Sequence, residues 1–311
     1  MSAGEPVTWR ALREEVVARL GPTVGETAAS DARWMLLEAS GCTEAELIVA
    51  EREAVPALVR HQVETMVVRR ARGEPLQYVL GSWSFRGLDL MVDPRVLIPR
   101  PETEVVVQVA IDAMVERGAR VGRTDPWGGA FTEYAVADLG TGSGAIAMAL
   151  AAELPDAAVW ATDVDEAALT VARANLASLG TAATRVRVLQ GDWFDALPIE
   201  LRGGLRLVVS NPPYVSVAEH ASLPVVVAEH EPYGALVSGE TGLECLSALL
   251  RDAFVWLEPR GVLVLELAPH QAHRVAEEAV ASGYVDVEVR SDLTGTERVL
   301  VARGPGLDAD G

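Results

Sequence analysis

The run Asn211-Pro212-Pro213-Tyr214 carries the most definite chemistry in this 311-residue chain. Two successive prolines stiffen the backbone, and neither supplies an N–H. The Pro212 carbonyl and the Asn211 side-chain oxygen can therefore both accept from one planar NH2 group, with the Tyr214 ring against that group's face. Side-chain amides and adenine both present such a group, so the tetrad by itself leaves both substrates open.

Three further clusters suit a nucleoside-bearing ligand. Asp138-Leu-Gly140-Thr141-Gly142-Ser143-Gly144 places glycines where a strand turns into a helix. Glycine lets the backbone turn sharply and approach a ligand closely, and the helix start offers unpaired N–H groups. Asp163 follows at the end of the next apolar run, about 20 residues on, where an acid accepts from ribose hydroxyls. This holds for an adenosyl group and for NAD alike, and Gly140-x-Gly142-x-x-Ala145 also fits a dinucleotide fingerprint. Asp192-Trp193 follows the third such run; its carboxylate can accept from an adenine amino group with the indole beside the ring. Asp165 suits a helix cap. His270 and His273 lack a metal-ligand pattern and read as surface histidines, so no metal site is expected. Glu266 lies in an apolar run, and a buried acid needs a partner, which the sequence does not name.

These residues require a regular scaffold. Strands are expected at Tyr134–Leu139, Ala158–Asp163, Arg185–Leu189, Leu205–Ser210 and Val262–Leu267, with helices between them such as Ala145–Glu153 and Glu166–Leu179. This alternation predicts an α/β fold: a doubly wound, mostly parallel sheet with helices on both faces. Val285–Arg290 and Glu297–Ala302, around Thr294-Gly295, predict a closing hairpin. Residues 1–77 read as a small helical domain. Trp9, Leu12, Val16 and Leu20 fall at helical spacing, a second helix stops at Gly41, and Thr43 with Glu46 has capping-box spacing. Pro56 opens a long helix that Gly73 and Pro75 end. Residues 78–100 predict a β-hairpin linker, 101–303 the catalytic domain, and 304–311 a disordered tail. The stretch 118–133, rich in Gly, Arg, Thr and Pro, reads as a loop.

Composition narrows the partners. Half the residues are hydrophobic and the net charge is −19, with 26 arginines and no lysine. A protein that tracks a phosphate backbone usually carries a basic patch, and the longest basic cluster here is Arg69, Arg70 and Arg72. Extended nucleic acid is not expected as a partner. No apolar run approaches the length of a membrane span, and the start does not read as a secretory signal. Cys42 and Cys245 match no redox or metal spacing. A cytoplasmic location is expected.

Over residues 30 to 303 the chain resembles the release-factor glutamine methyltransferases. The resemblance is carried by Asp31-Ala-Arg, Glu74-Pro-Leu-Gln-Tyr, Leu97-Ile-Pro-Arg-Pro-Glu-Thr-Glu104, the glycine loop, Asp163, Asp192-Trp-Phe, Ser210-Asn-Pro-Pro-Tyr-Val215, Glu231-Pro and Thr296-Glu-Arg298. It implies a Rossmann-like class I fold binding S-adenosylmethionine through Gly140, Thr141, Gly142, Ser143, Gly144, Asp163, Asp192, Trp193 and Asn211. It also implies that Asn211, Pro212, Pro213 and Tyr214 hold a substrate glutamine, that Asn211, Pro212 and Tyr214 serve catalysis, and that the helical domain engages a peptide chain release factor. The alternatives are glutamine methylation of a ribosomal or other protein, adenine-N6 methylation of nucleic acid, an NAD-dependent oxidoreductase, which leaves the tetrad unexplained, and a non-catalytic binding scaffold, which the intact Asn211 and Tyr214 disfavour.

Overall fold

The computed structural model describes residues 6–122 and 133–306. Most of the expected 118–133 loop, and the tail from 307, lie outside these residues. The chain divides into two compact units, residues 1–82 with 224–230, and residues 83–223 with 231–311.

The first unit is helical: α1 (Trp9–Val24), α2 (Ala28–Ser40), α3 (Glu44–Val49), α4 (Ala57–Ala71) and α5 (Leu76–Leu80). Trp9, Leu12, Val16 and Leu20 form the buried stripe of α1, and they pack with Met35, Val63 and Val67. Burying a large apolar side chain contributes about 1.5–3 kcal/mol, more than an exposed ion pair such as Arg33–Glu44 contributes. Helix α2 stops at Gly41, which takes a left-handed conformation (φ +66°). Thr43 and Glu46 cap α3 reciprocally. Arg70 reaches the buried Asp31 at 2.7 Å.

A hairpin, β1 (Ser82–Phe85) and β2 (Leu88–Met91), starts at the unit boundary, and the second unit continues with α6 (Pro101–Glu116), which has Pro101 in its first turn. Then follow β3 (Tyr134–Leu139), α7 (Ala145–Glu153), β4 (Ala157–Asp163), α8 (Glu166–Leu176), β5 (Val186–Gln190) and β6 (Leu205–Ser210). The short pieces β7 (Val215–Ser216) and α9 (Val217–His220) come next, then α10 (Val225–Ala228), which belongs to the first unit, and α11 (Tyr233–Leu236) and β8 (Val237–Gly239). The chain closes with α12 (Glu244–Trp256), β9 (Leu257–Glu266), α13 (Ala272–Ala281), β10 (Val285–Ser291) and β11 (Glu297–Arg303).

Seven strands form one sheet in the order β10-β11-β9-β6-β3-β4-β5. The five from β9 to β5 are parallel, and β11 and β10 add an antiparallel edge. One face packs on α6 and α7 through residues such as Val106, Ala110, Met148 and Leu150. The other packs on α12 and α13 through Leu246, Leu250, Val275 and Ala279. Strand order reverses at β3, which has β4 on one side and β6 on the other. In such sheets ligands bind outside the carboxyl ends of the strands at the reversal.

Most strands fall within a residue of expectation, and α8 ends at Leu176 rather than Leu179; one strand departs further. The sequence places it at Val262–Leu267, whereas β9 runs from Leu257 to Glu266. Its pairing with β6 is irregular between Leu257 and Val262, and Arg260 sits at φ +61°. That bulge lets the strand accommodate Pro259, which an evenly paired interior strand would exclude.

Candidate active site

The glycine loop leaves β3 with Gly140, Gly142 and Gly144 at φ +69°, +55° and +85°. At Gly140 the absence of a side chain matters twice: the φ is left-handed, and a Cβ would stand 3.1 Å from the Trp193 ring. The loop is tied down from beneath by Asp138. One oxygen of that buried carboxyl accepts from the Thr141 hydroxyl at 2.6 Å and from the Ala147 N–H at 2.9 Å. The other oxygen is buried with no hydrogen-bond partner. Burial pushes the Asp138 carboxyl up to about 7. Asn175 clamps the loop from the side: its amide donates to the Ser143 carbonyl at 2.9 Å and to the Met91 carbonyl at 3.0 Å.

Asp163 ends β4 and accepts from the Gly142 N–H at 2.8 Å and the Asp165 N–H at 3.0 Å. A carboxylate has about four acceptor positions, so both oxygens retain capacity for ligand hydroxyls. Burial raises this carboxyl above its ordinary value. Asp165 caps α8 through the Ala167 N–H at 2.8 Å, as the sequence predicts. Trp193 takes a left-handed φ of +45°, and its carbonyl accepts from the Thr162 hydroxyl at 3.0 Å. That unusual backbone turns the indole towards Gly140.

The tetrad leaves β6 held at both ends. Before it, the Ser210 hydroxyl donates to the Leu139 carbonyl at 2.6 Å. After it, the buried Gln271 amide donates to the Tyr214 carbonyl at 2.8 Å and to the Gly242 carbonyl at 3.1 Å. The Asn211 Nδ2 donates to the Thr103 hydroxyl at 3.1 Å, and that hydroxyl donates to Glu266 Oε2 at 2.7 Å. The Tyr214 hydroxyl reaches Glu266 Oε1 at 3.3 Å. Glu266 thus has the partners its burial demands. Thr103 is set at the start of α6 by the preceding segment, where the buried Glu231 pairs with Arg100 and accepts from the Ile98 N–H.

A cleft of about 350 Å³ lies above these elements, lined by Gly140, Gly142, Asp163, Asp192, Trp193, Asn211 and Pro213. Arg95, Val96 and Leu97 form another wall, and Pro232, Val237 and Cys245 also border it. Thr141, Ser143, Gly144, Pro212 and Tyr214 are not among the lining residues. Thr141 and Ser143 shape the loop through the bonds above, and Gly144 lets α7 close on Ala172, which a Cβ would meet at 3.3 Å. Thr103 is absent from the sequence expectations as a functional residue, and so is the wall at 95–97; neither carries a chemical signature of its own. His270 and His273 are exposed, next to Glu219 and Glu277. Among the described residues no cluster of ligating side chains could hold a metal, and no helix is long and apolar enough to cross a membrane.

The seven-stranded sheet, five strands parallel with an antiparallel β10–β11 edge, carries the glycine loop and the following acid in a class I methyltransferase fold. The hMettl16 catalytic domain, solved with a MAT2A 3′UTR hairpin, shares this fold at 16% identity, with a TM-score of 0.53 over 80% of this chain and 82% of that one. Residues 11–81 match the PrmC N-terminal domain and residues 130–228 the methyltransferase small domain. The release factor glutamine methyltransferase of Burkholderia pseudomallei is 40% identical over 89% of this chain and 93% of its own length. Its Moorella thermoacetica counterpart is 39% identical over 95% and 98%, and that of Gloeobacter violaceus 41% over 82% and 81%. The chain belongs to the release factor glutamine methyltransferase family.

Proposed function

We propose that this chain transfers a methyl group from S-adenosylmethionine to the side-chain amide nitrogen (N5) of a glutamine in a peptide chain release factor. The observation that carries this reading is the rigid Asn211–Tyr214 tetrad at the carboxyl end of β6, whose Asn211 and Pro213 border the same cleft as Asp163 and the glycine loop.

The residues present fit the donor. Gly140 and Gly142 border the cleft without side chains, and Asp163 has acceptor capacity for ribose hydroxyls. Asp192 and Trp193 suit the adenine. When bound, the donor would supply an electrophilic methyl on a sulfonium: its S–CH3 bond breaks as the N–CH3 bond forms, leaving S-adenosylhomocysteine, and the amide nitrogen releases one proton to solvent. The remaining work belongs to the chain. An amide nitrogen is a poor nucleophile because its lone pair is delocalised. Acceptance of its two hydrogens by Asn211 Oδ1 and the Pro212 carbonyl orients the nitrogen and offsets the positive charge that develops on it. The helical unit is assigned to recognition of the release factor, since it holds none of the donor-binding motifs. The net charge of −19 disfavours extended nucleic acid as substrate.

The test is mass spectrometry of a release factor after incubation with the protein and isotopically labelled S-adenosylmethionine. A single labelled methyl on one glutamine is expected. Label on nucleic acid only, or none on the release factor, overturns the reading.

A further inference from the structure

The chain Asn211–Thr103–Glu266 decides which end of the Asn211 amide is free. A threonine hydroxyl has one proton and two lone pairs, whereas an ionised carboxylate only accepts. With Glu266 ionised, the Thr103 proton is committed to Glu266 Oε2 at 2.7 Å. Towards Asn211 the hydroxyl then offers lone pairs alone, so the asparagine must present its NH2, as it does at 3.1 Å. Its oxygen is left for another donor. If Glu266 carries a proton, it can donate to Thr103, and the Thr103 proton can turn towards Asn211. The same contact then favours the flipped amide, with Oδ1 consumed and NH2 facing the substrate, where it would oppose the donors of a glutamine amide.

We propose that Thr103 and Glu266 are positioning residues that hold Asn211 Oδ1 towards the substrate amide, and that this orientation requires Glu266 in its ionised form. The inference rests on the reading of Asn211 as the acceptor for glutamine. Three features support it. Thr103 and Glu266 are 4% and 1% exposed, so water does not compete for the hydroxyl proton. Neither residue is among those lining the cleft, so their effect on the reaction passes through Asn211, which does line it. The elements around Glu266 bring charges of both signs: Glu102 from α6 raises its carboxyl and Arg298 from β11 lowers it, while the Tyr214 hydroxyl donates to it. Burial dominates and pushes the group up to about 7, where its charge changes near neutrality.

Thr103→Val keeps the shape but removes both hydrogen bonds, and Thr103→Ser keeps the hydroxyl. With saturating donor, kcat for methyl transfer should fall about ten- to a hundredfold in Thr103→Val and return to within about threefold of the parent in Thr103→Ser. Donor affinity should be alike in both variants, whereas the thermal midpoint should fall in Thr103→Val, where the buried Glu266 oxygen loses its donor, and recover in Thr103→Ser. The parent's single-turnover rate should rise with pH through an acid limb near neutrality, and Glu266→Gln should flatten that limb. A readout without substrate comes from the Asn211 side-chain NH2 resonances, assigned by their loss in Asn211→Ala. They should shift in Thr103→Val and recover in Thr103→Ser. Unmoved resonances, a parent-like rate in Thr103→Val, a Thr103→Ser as slow as Thr103→Val, or an acid limb unchanged in Glu266→Gln each overturn the proposal. Failure of the parent to methylate glutamine, with resonances behaving as expected, would instead sink the functional reading and leave the positioning role standing.

Discussion

The Gly142 N–H donates to the Asp163 carboxylate across 2.8 Å, joining the glycine loop to the end of β4. Asp163→Ala removes both this brace and the acceptor proposed for ligand hydroxyls. A charge-assisted hydrogen bond lost from a closed site costs on the order of 1.5–3 kcal/mol, so calorimetry should record roughly a tenfold or greater loss of S-adenosylmethionine affinity. The pH dependence has a definite sign. Burial raises the Asp163 carboxyl, and hydroxyl donors on a bound ligand favour its ionised form. Affinity should therefore weaken as pH falls through the raised value, and Asp163→Asn should lose that dependence. Unchanged affinity in a folded Asp163→Ala protein removes this residue from the site.

Gly242 supports the tetrad from behind. It sits at φ +78°, and a Cβ there would stand 2.6 Å from the Tyr214 carbonyl oxygen and 3.0 Å from the Gln271 amide nitrogen. Gly242→Ala should displace the tetrad's second anchor. Methyl transfer should drop by about tenfold or more, with S-adenosylmethionine affinity held within about threefold. Steady-state kinetics and calorimetry on the same preparation check this; equal losses in both would mean a general collapse of the cleft.

Glu266 also makes stability depend on pH. Its folded-state value, about 7 against an ordinary 4.5, is raised, so the folded protein binds a proton that the unfolded chain releases between those values. Its favourable contribution is complete below about 4.5 and is lost as pH rises to about 7, on the order of 3 kcal/mol in all. Glu266→Gln cannot ionise. The stability of this variant relative to the parent should therefore climb between pH 4.5 and 7 and level off above. Urea unfolding across that range measures it, and a flat difference contradicts the assignment.

The helical unit presents Ile48 at 64% and Val49 at 82% exposure at the end of α3. If this unit recognises the release factor, Ile48→Asp with Val49→Asp should raise KM for the intact release factor several-fold. The KM for a short glutamine peptide should not change. Equal changes on both substrates would argue that this surface takes no part in recognition.

Much of the scaffold is legible from local pattern. The strand β3 and the helix α7 fall where apolar runs and glycine turns place them, because these signals act within a few residues. The Thr43–Glu46 capping box and the Asp165 cap are equally local. The hydrogen bonds behind the tetrad are not: Thr103 lies 108 residues before Asn211 and 163 before Glu266. Nothing near Glu266 in sequence indicates that a threonine at the start of α6 will meet it; only the packing of α6 against the sheet does so. The early start of β9 depends on the bulge at Arg260, which is what lets Pro259 lie within a paired strand. For Tyr214 the sequence gives a ring that lies against a planar group, while the structure adds a hydroxyl bonded to Glu266. Tyr214→Phe would therefore also disturb the carboxyl that holds Thr103.

The most direct test of the central claim is single-turnover methyl transfer to the release-factor glutamine by Asn211→Ala, with donor and substrate saturating. Ser210 and Gln271 hold the two ends of the tetrad independently of the Asn211 side chain, so the variant should fold and bind S-adenosylmethionine nearly normally. Loss of one well-placed orienting group typically costs on the order of a hundredfold or more in rate, and a loss of that size is the expected result. Transfer by folded Asn211→Ala at the parent rate would contradict the account, because the tetrad would then not be holding the amide.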